Sequence, residues 1–217
     1  MKSKSEITKQ TYSEASSEWN KKRTVSWDEV SEFLDTIENK NKLLDIGCGT
    51  GRDIECAVSK GFDKNNCIGV DYAQGQITEL KKKGFNGVCA DMKQLPFEDQ
   101  SFDTILCIAS LHHLLTTSEQ EQALLEIKRV LKKQGRVLIS VWVPEQQYID
   151  SELRKQKWEY VEDNIVKVLF TYENKKLERY YYLFKTEELI NLLEKLGFQI
   201  KETRYENGNY FFDCEQP

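Results

Sequence analysis

The stretch "LLDIGCGTGRD", Leu43 to Asp53, constrains the fold of this chain more than any other. An apolar run ends in Gly47, Gly49 and Gly51, at alternate positions, and a helical pattern starts directly behind them. A glycine turn between a strand and a helix start lets backbone N–H groups approach a ligand, at the carboxyl end of a parallel strand. The rhythm continues: "CIGVD" precedes "AQGQITELKKKGF", and "NGVCAD" follows. Strands alternating with helices at this spacing predict a parallel sheet with crossover helices. "SKGF", "KKGF" and "KLGF" put Gly61, Gly84 and Gly197 at helix exits, each with a phenylalanine able to pack back.

Further along, "FDTILCIAS" reads as a buried strand. Ser118 to Glu121 read as a capping box opening a helix to about Lys133, and "RVLISVWV", after Gly135, reads as the next strand. Residues 144 to 178 are polar and aromatic without a clear period, and are expected to form an insertion over one face of the sheet. A helix at about 186–196, after Thr186, leads into "FQIKETRYE" and "NYFFDCE". The "NG" between those two runs predicts an antiparallel pair. Ahead of the first strand, Ser26 to Glu29 read as a second capping box, and Trp27, Val30, Phe33, Leu34 and Ile37 recur at helical spacing. "EITKQTYSEASSEWN" is also helical in pattern, and the two helices are placed to cover the open edge of the core. One domain over 1–217 is expected, with N-terminal helices to 40, a cofactor-binding core at 41–143, the insertion at 144–178, and a C-terminal helix and hairpin at 179–217.

The balance of 39% hydrophobic and 31% charged residues is that of a globular chain, and a net charge of −5 argues against gripping nucleic acid by bulk charge alone. "MKSKSEITKQ" lacks the apolar centre of a signal peptide, and no run approaches the roughly 20 apolar residues of a membrane span. A cytoplasmic location, with the nucleus as a further option, is expected. Six cysteines without a C-x-x-C pair, and only His112 and His113 beside them, predict buried reduced thiols and no metal site.

The glycine turn is not the dinucleotide fingerprint, because Arg52 stands where that pattern wants its third glycine; nor does it end in the Gly-Lys-Ser/Thr of a P-loop. Asp71 ends the second strand in "CIGVDY", where a carboxylate can accept both hydroxyls of a ribose. Asp91 follows the third strand in "ADM", within reach of an adenine amino group, with Met92 beside the ring. Either acid alone reads as a turn or cap residue; placed at successive strand ends they read as a ligand site. Together with "LPFEDQSFDTILCIASLHHL", these residues resemble the class I S-adenosylmethionine-dependent methyltransferases. The resemblance implies a Rossmann-like α/β fold, a seven-stranded, mostly parallel sheet with an antiparallel C-terminal hairpin and helices on both faces. It implies S-adenosylmethionine as cofactor, held by Tyr12, Gly47, Gly49, Gly51, Asp71, Tyr72, Asp91, Met92 and Ile108.

Five segments narrow this further. "TYSEASSEWNKKRTVSWDEVSEFL", "SLHHL", "VWVPEQ", "RYYYLFKTEEL" and "YENGNYFF" are similar, in order, to the tRNA wobble-uridine carboxymethyl methyltransferases, including the matching domain of the AlkB-homologue enzyme. That resemblance implies methylation of the carboxylate of 5-carboxymethyluridine to its methyl ester. A carboxylate with a pKa of about 4 is already ionised at neutral pH and needs no general base. The resemblance assigns Arg23 and Arg179 to the carboxylate or a nearby phosphate, and His112 to the methyl-transfer pocket with His113 turned into the fold. Tyr12 is assigned to the methionine end of the cofactor, and Trp142 to a wall of the site. Plainer roles exist for each: Arg23 in the solvated run "KKR", Arg179 as an ion-pair partner, His112 as a loop residue, Tyr12 and Trp142 as packing. The implied partners are a tRNA anticodon loop and a small zinc-binding activator protein meeting Phe85 and Val88 on the edge strand. Basic runs near Arg23, Arg154 and Lys175 flank the expected pocket mouth. The chain departs from the family at "NIVKVLFTYEN" and at Tyr210, which follows Asn209 in place of tryptophan. A small-molecule acceptor of quinone or lipid-precursor type is the alternative with the same chemistry, and a non-catalytic regulatory subunit the alternative without it.

Overall fold

The computed structural model describes residues 2–22 and 24–217, the side chains of Trp19 and Lys22 excepted. Helices α1 (Lys4–Glu14), α2 (Ser16–Lys22) and α3 (Asp28–Asp35) lead into β1 (Leu43–Ile46). There follow α4 (Arg52–Ser59), β2 (Cys67–Asp71), α5 (Gln74–Lys82), β3 (Asn86–Cys89), β4 (Phe102–Cys107), α6 (Thr117–Val130) and β5 (Leu131–Trp142). The second half adds α7 (Gln146–Arg154), β6 (Trp158–Glu162), β7 (Ile165–Tyr172), β8 (Lys175–Tyr182), α8 (Thr186–Lys195), β9 (Gln199–Glu206) and β10 (Asn209–Glu215).

Seven strands form one sheet in the order β3-β2-β1-β4-β5-β10-β9, parallel from β3 to β5 and antiparallel at β10 and β9. Because helices cover both faces, β1 is buried at all four positions instead of alternately. Leu43 packs with α3, α4 and α5 on one face, and Leu44 with α6 and α8 on the other. The helix exits at Gly61, Gly84 and Gly197 have φ of 98°, 78° and 78°, and the next phenylalanine donates its N–H five residues back, as in Phe62 to Ala57 at 3.1 Å. The "NG" turn places Asn207 and Gly208 at φ 49° and 78° between β9 and β10, as a tight hairpin requires.

Three local expectations fail for identifiable reasons. Ser26 does not cap α3: its hydroxyl donates to Asp53 Oδ1 at 2.5 Å, and Trp27 takes the cap position without a side-chain bond. The cap that opens α6 lies two residues early, with Thr116 Oγ1 accepting from the Glu119 N–H at 3.3 Å. That helix ends at Val130, because Leu131 is already extended (φ −76°, ψ 135°) and pairs with Phe102; Gln134 and Gly135 lie inside β5 at a register shift.

Residues 144–178 are not irregular. They contain α7 and most of a second, antiparallel sheet, in the order β6-β7-β8, around Ile149, Trp158, Val166, Val168 and Tyr181. Burial of Ile165 and Val166 in succession, and of four consecutive residues Arg179 to Tyr182, hides the period of two that marks a strand. Strand β8 runs through residue 178, so Arg179 stands on this small sheet.

Candidate active site

The carboxyl ends of β1, β2 and β4 open into one cleft, floored by the glycine turn and roofed by α1 through Ser5, Thr8, Lys9 and Tyr12. Gly47, with φ of 74°, has no room for a side chain: a Cβ there would stand 1.9 Å from Ser110 Oγ. Gly49 (φ 53°) lies on the cleft, whereas Gly51 is turned away from it, its missing Cβ pointing 2.3 Å from Leu80 Cδ1. Gly51 therefore stands at the helix start with its missing side chain towards the core.

The turn's N–H groups are mostly committed to the protein. Gly47 and Cys48 both donate to the Val70 carbonyl (2.7 and 3.0 Å), Gly49 to Asp71 Oδ2 (3.0 Å), and Gly51 to the Cys48 carbonyl (2.9 Å). A phosphate needs such donors turned outward. Carboxyl groups gather at this end: Asp71 and Asp53 line the cleft, and Asp45 lies buried on β1 beneath it. Asp45 Oδ2 has no hydrogen-bond partner, and its pKa is pushed well up by burial first and by Asp53 next. The committed N–H groups and the Asp71 carboxylate favour a ligand that brings hydroxyls over a phosphate, and the charged lining mixes Asp53, Asp71 and Asp91 with Lys9, Arg52 and Lys93. S-adenosylmethionine, with its sulfonium, ammonium and ribose diol, fits this donor and acceptor set.

Asp71 accepts from Gly49 with one oxygen and from the Ala73 N–H with the other (2.8 Å), leaving each a lone pair for a ribose hydroxyl. Burial pushes its pKa up to about 6, against the pull of those two N–H groups. Asp91 is held by the Lys93 N–H at 2.9 Å, and Met92, Tyr72 and Ile108 line the cleft with it. Lys9 lies 3.8 Å over the Tyr72 ring, drawing α1 towards that end.

The two histidines exchange the roles expected of them. His113 lines the cleft; His112 is only 3% exposed, and its Nδ1 accepts the Trp142 N–H at 3.0 Å. The short 3-10 turn Leu111–His113 directs the first imidazole towards β5 and the second towards α1. Tyr12 Oη lies 3.1 Å from His113 Nε2 and 3.2 Å from Tyr181 Oη, and His113 Nδ1 lies 3.3 Å from the Tyr180 carbonyl. A proton on Nδ1 satisfies that carbonyl, so Nε2 accepts from Tyr12. Arg179 is 9% exposed and does not line the cleft; its guanidinium lies among the rings of Phe170, Tyr181 and Tyr12 at 5.3, 5.5 and 5.9 Å. Burial disfavours its charge, but Tyr181 and Tyr12 outweigh that and hold its pKa above the ordinary value. Arg23 lies outside the described residues.

Sequence reasoning missed the cleft residues Ser5, Thr8 and Lys9, along with Arg52, Asp53 and Ser110. The helical spacing of Ser5, Thr8 and Tyr12 was the available signal, but nothing local said which face met the cleft. The six cysteines form no disulfide with one another; Cys48, Cys67, Cys107 and Cys214 are buried as expected, whereas Cys56 is half-buried and Cys89 is exposed on β3.

Residues 44–139 match the model of a methyltransferase domain. A protein of Encephalitozoon cuniculi named as a methyltransferase is 32% identical over 94% of this chain and 93% of its own length. The chain is a class I S-adenosylmethionine-dependent methyltransferase. Within that family, the tRNA (carboxymethyluridine(34)-5-O)-methyltransferase of Arabidopsis thaliana is 35% identical over 58% of this chain; the match covers 30% of that enzyme. The methyltransferase fold is shared with an S-adenosylmethionine-dependent enzyme of Clostridium acetobutylicum (17% identical, TM-score 0.72, 95% of this chain and 99% of that one). It is shared also with a chain from the complex between the Haloferax volcanii Trm112 methyltransferase activator and a methyltransferase (13% identical, TM-score 0.67, 97% and 96% covered). Among the described residues of this methyltransferase, no helix is long and apolar enough to cross a membrane.

Proposed function

We propose that this methyltransferase esterifies the carboxylate of 5-carboxymethyluridine at the wobble position of tRNA. The observation that carries the reading is the buried Arg179 guanidinium, set with the Tyr12 and Tyr181 hydroxyls against the His113 end of the cleft. A permanent cation behind the cleft wall, beside the Tyr181 hydroxyl, suits an acceptor that carries a carboxylate. His113 has one nitrogen turned to the Tyr180 carbonyl and the other to Tyr12, which leaves no evident base, and an ionised carboxylate with a pKa of about 4 requires none. The cofactor supplies an activated methyl group. The protein's share is to line the carboxylate oxygen up with that methyl and to keep water from it, with Tyr12 and His113 at the cleft wall and Arg179 and Tyr181 behind them.

The similarity to the Arabidopsis tRNA enzyme supports the same substrate, and the Trm112 complex among structures of this fold supports an activator as partner. Strand β3 is one of the two edges of the large sheet, with Val88 half-buried on it and Phe85 half-buried beneath Lys64 Nζ at 4.6 Å; this is the expected contact surface. The test is incubation of the protein and its activator with labelled cofactor, offering tRNA that carries 5-carboxymethyluridine or a pool of small metabolites. Label entering tRNA and released by mild alkali supports the ester. Label in metabolites alone refutes the tRNA reading and favours a small-molecule acceptor.

A further inference from the structure

Strand β8 is an edge of the small sheet, and an edge strand exposes main-chain groups that need partners. Here side chains of α1 and His113 supply them. Thr8 Oγ1 accepts the Tyr180 N–H at 3.0 Å, Thr11 Oγ1 donates to the Glu178 carbonyl at 2.7 Å, and His113 meets the Tyr180 carbonyl at 3.3 Å. Thr8 and Thr11 are both buried, one helical turn apart on the same face of α1.

The C-terminal end of α1 is fastened to the start of α5. Gly75 donates its N–H to Ser13 Oγ at 3.0 Å, and Gln76 Nε2 donates to the Tyr12 carbonyl at 3.1 Å. A Cβ on Gly75 would stand 2.3 Å from the Ser13 carbonyl oxygen, so α1 rests on the backbone of the first turn of α5. One helix thus roofs the cofactor cleft and holds the strand that carries Arg179 and Tyr181. Lifting that roof to admit the cofactor breaks the bonds to β8.

We propose that α1 is a two-sided clasp: cofactor seated beneath it fixes β8, Thr11 is a positioning residue that transmits this to Arg179 and Tyr181, and the cofactor therefore binds before the acceptor. The binding order rests on reading Arg179 and Tyr181 as acceptor groups; the coupling from cleft to strand does not, and is tested without any acceptor.

The experiment is hydrogen exchange of the β8 amides with and without saturating S-adenosylhomocysteine, in the wild type, Thr11→Val and Thr11→Ser. In the wild type the ligand slows β8 exchange at least about tenfold, although no β8 residue lines the cleft; linkage caps the effect at about 100-fold for ligand at 100 times Kd. Thr11→Val loses that slowing while its Kd for S-adenosylhomocysteine moves less than about threefold, and Thr11→Ser keeps it. Exchange in β8 that ignores the ligand, or equal slowing in Thr11→Val, overturns the clasp. If Thr11→Val does not fold, the wild type decides alone, through its own β8 exchange. For the order, an unreactive acceptor analogue inhibits uncompetitively against the cofactor; mixed inhibition against the cofactor, the random-order pattern, overturns that part and leaves the coupling standing on its exchange data.

Discussion

Replacing Asp71 with asparagine keeps the size of the side chain at the end of β2 and removes its charge. Both oxygens of the carboxylate already accept a backbone N–H, from Gly49 and from Ala73. An asparagine must turn its NH2 towards one of those donors, which frees that end of the glycine turn, and it keeps one acceptor for the ribose diol in place of two. Hydrogen bonds to a charged group contribute about 1.5–3 kcal/mol each, so the net loss is about 2–3 kcal/mol, or roughly 30- to 150-fold in Kd for S-adenosylhomocysteine. The wild type carries a second signature. Burial raises the Asp71 pKa to about 6, and the diol binds the ionised form, so affinity falls about tenfold for each pH unit below that value. Binding draws the pKa down again, so a proton is released near and below pH 6. The sign for stability follows: a carboxyl held above its unfolded value costs the empty fold stability as pH rises through about 6, and bound ligand returns it. Ligand therefore raises the melting temperature more above that pH than below it. Calorimetric titration across the window, in two buffers of different ionisation enthalpy, reads affinity and proton release together, with circular dichroism as the check on folding. A wild-type affinity that stays flat through pH 6, or an Asp71→Asn variant that keeps the dependence, refutes the reasoning.

Gly47→Ala places a Cβ 1.9 Å from Ser110 Oγ on a backbone of φ 74°, and should cost more than about 2 kcal/mol by thermal denaturation. Adding Ser110→Gly removes the clash but not the backbone strain, so recovery is partial. His112→Ala strands the buried Trp142 N–H and should cost at least about 1–3 kcal/mol of stability. His113→Ala, at the cleft wall, should instead lower kcat by at least about tenfold with a smaller change in melting temperature. Equal effects of the two changes on both readouts would show that the histidines are not divided as described. Arg129 bonds Leu95, Phe97, Asp99 and Glu126, tying the loop before β4 to α6; Arg129→Ala should lower stability by about 2–3 kcal/mol without changing cofactor affinity.

The parallel core was legible because its signals are local: apolar runs, glycine exits and the "NG" hairpin each act over a few residues. The acids at 71 and 91 were legible for the same reason, since each closes a strand. Helix caps misled where a side chain found a better distant partner, as Ser26 does in Asp53. The small sheet was hidden because strands buried along much of their length do not alternate, and Arg179 accordingly was expected ahead of the last helix and not on a strand. The order of His112 and His113 turns on which imidazole meets Trp142 and which meets Tyr12, contacts made 30 and 101 residues away that no spacing within "SLHHL" encodes. The glycine turn was read as a source of N–H donors; the Val70 carbonyl and Asp71 consume three of them, and that consumption disfavours a phosphate there.

The most direct test of the substrate is mass spectrometry of the wobble nucleoside after the protein, its activator and S-adenosylmethionine have acted on tRNA carrying 5-carboxymethyluridine. The account predicts that this nucleoside gains the mass of one methylene group and loses it again on alkaline hydrolysis. Carboxymethyluridine recovered unchanged, while the same preparation binds cofactor and methylates another acceptor, would contradict it.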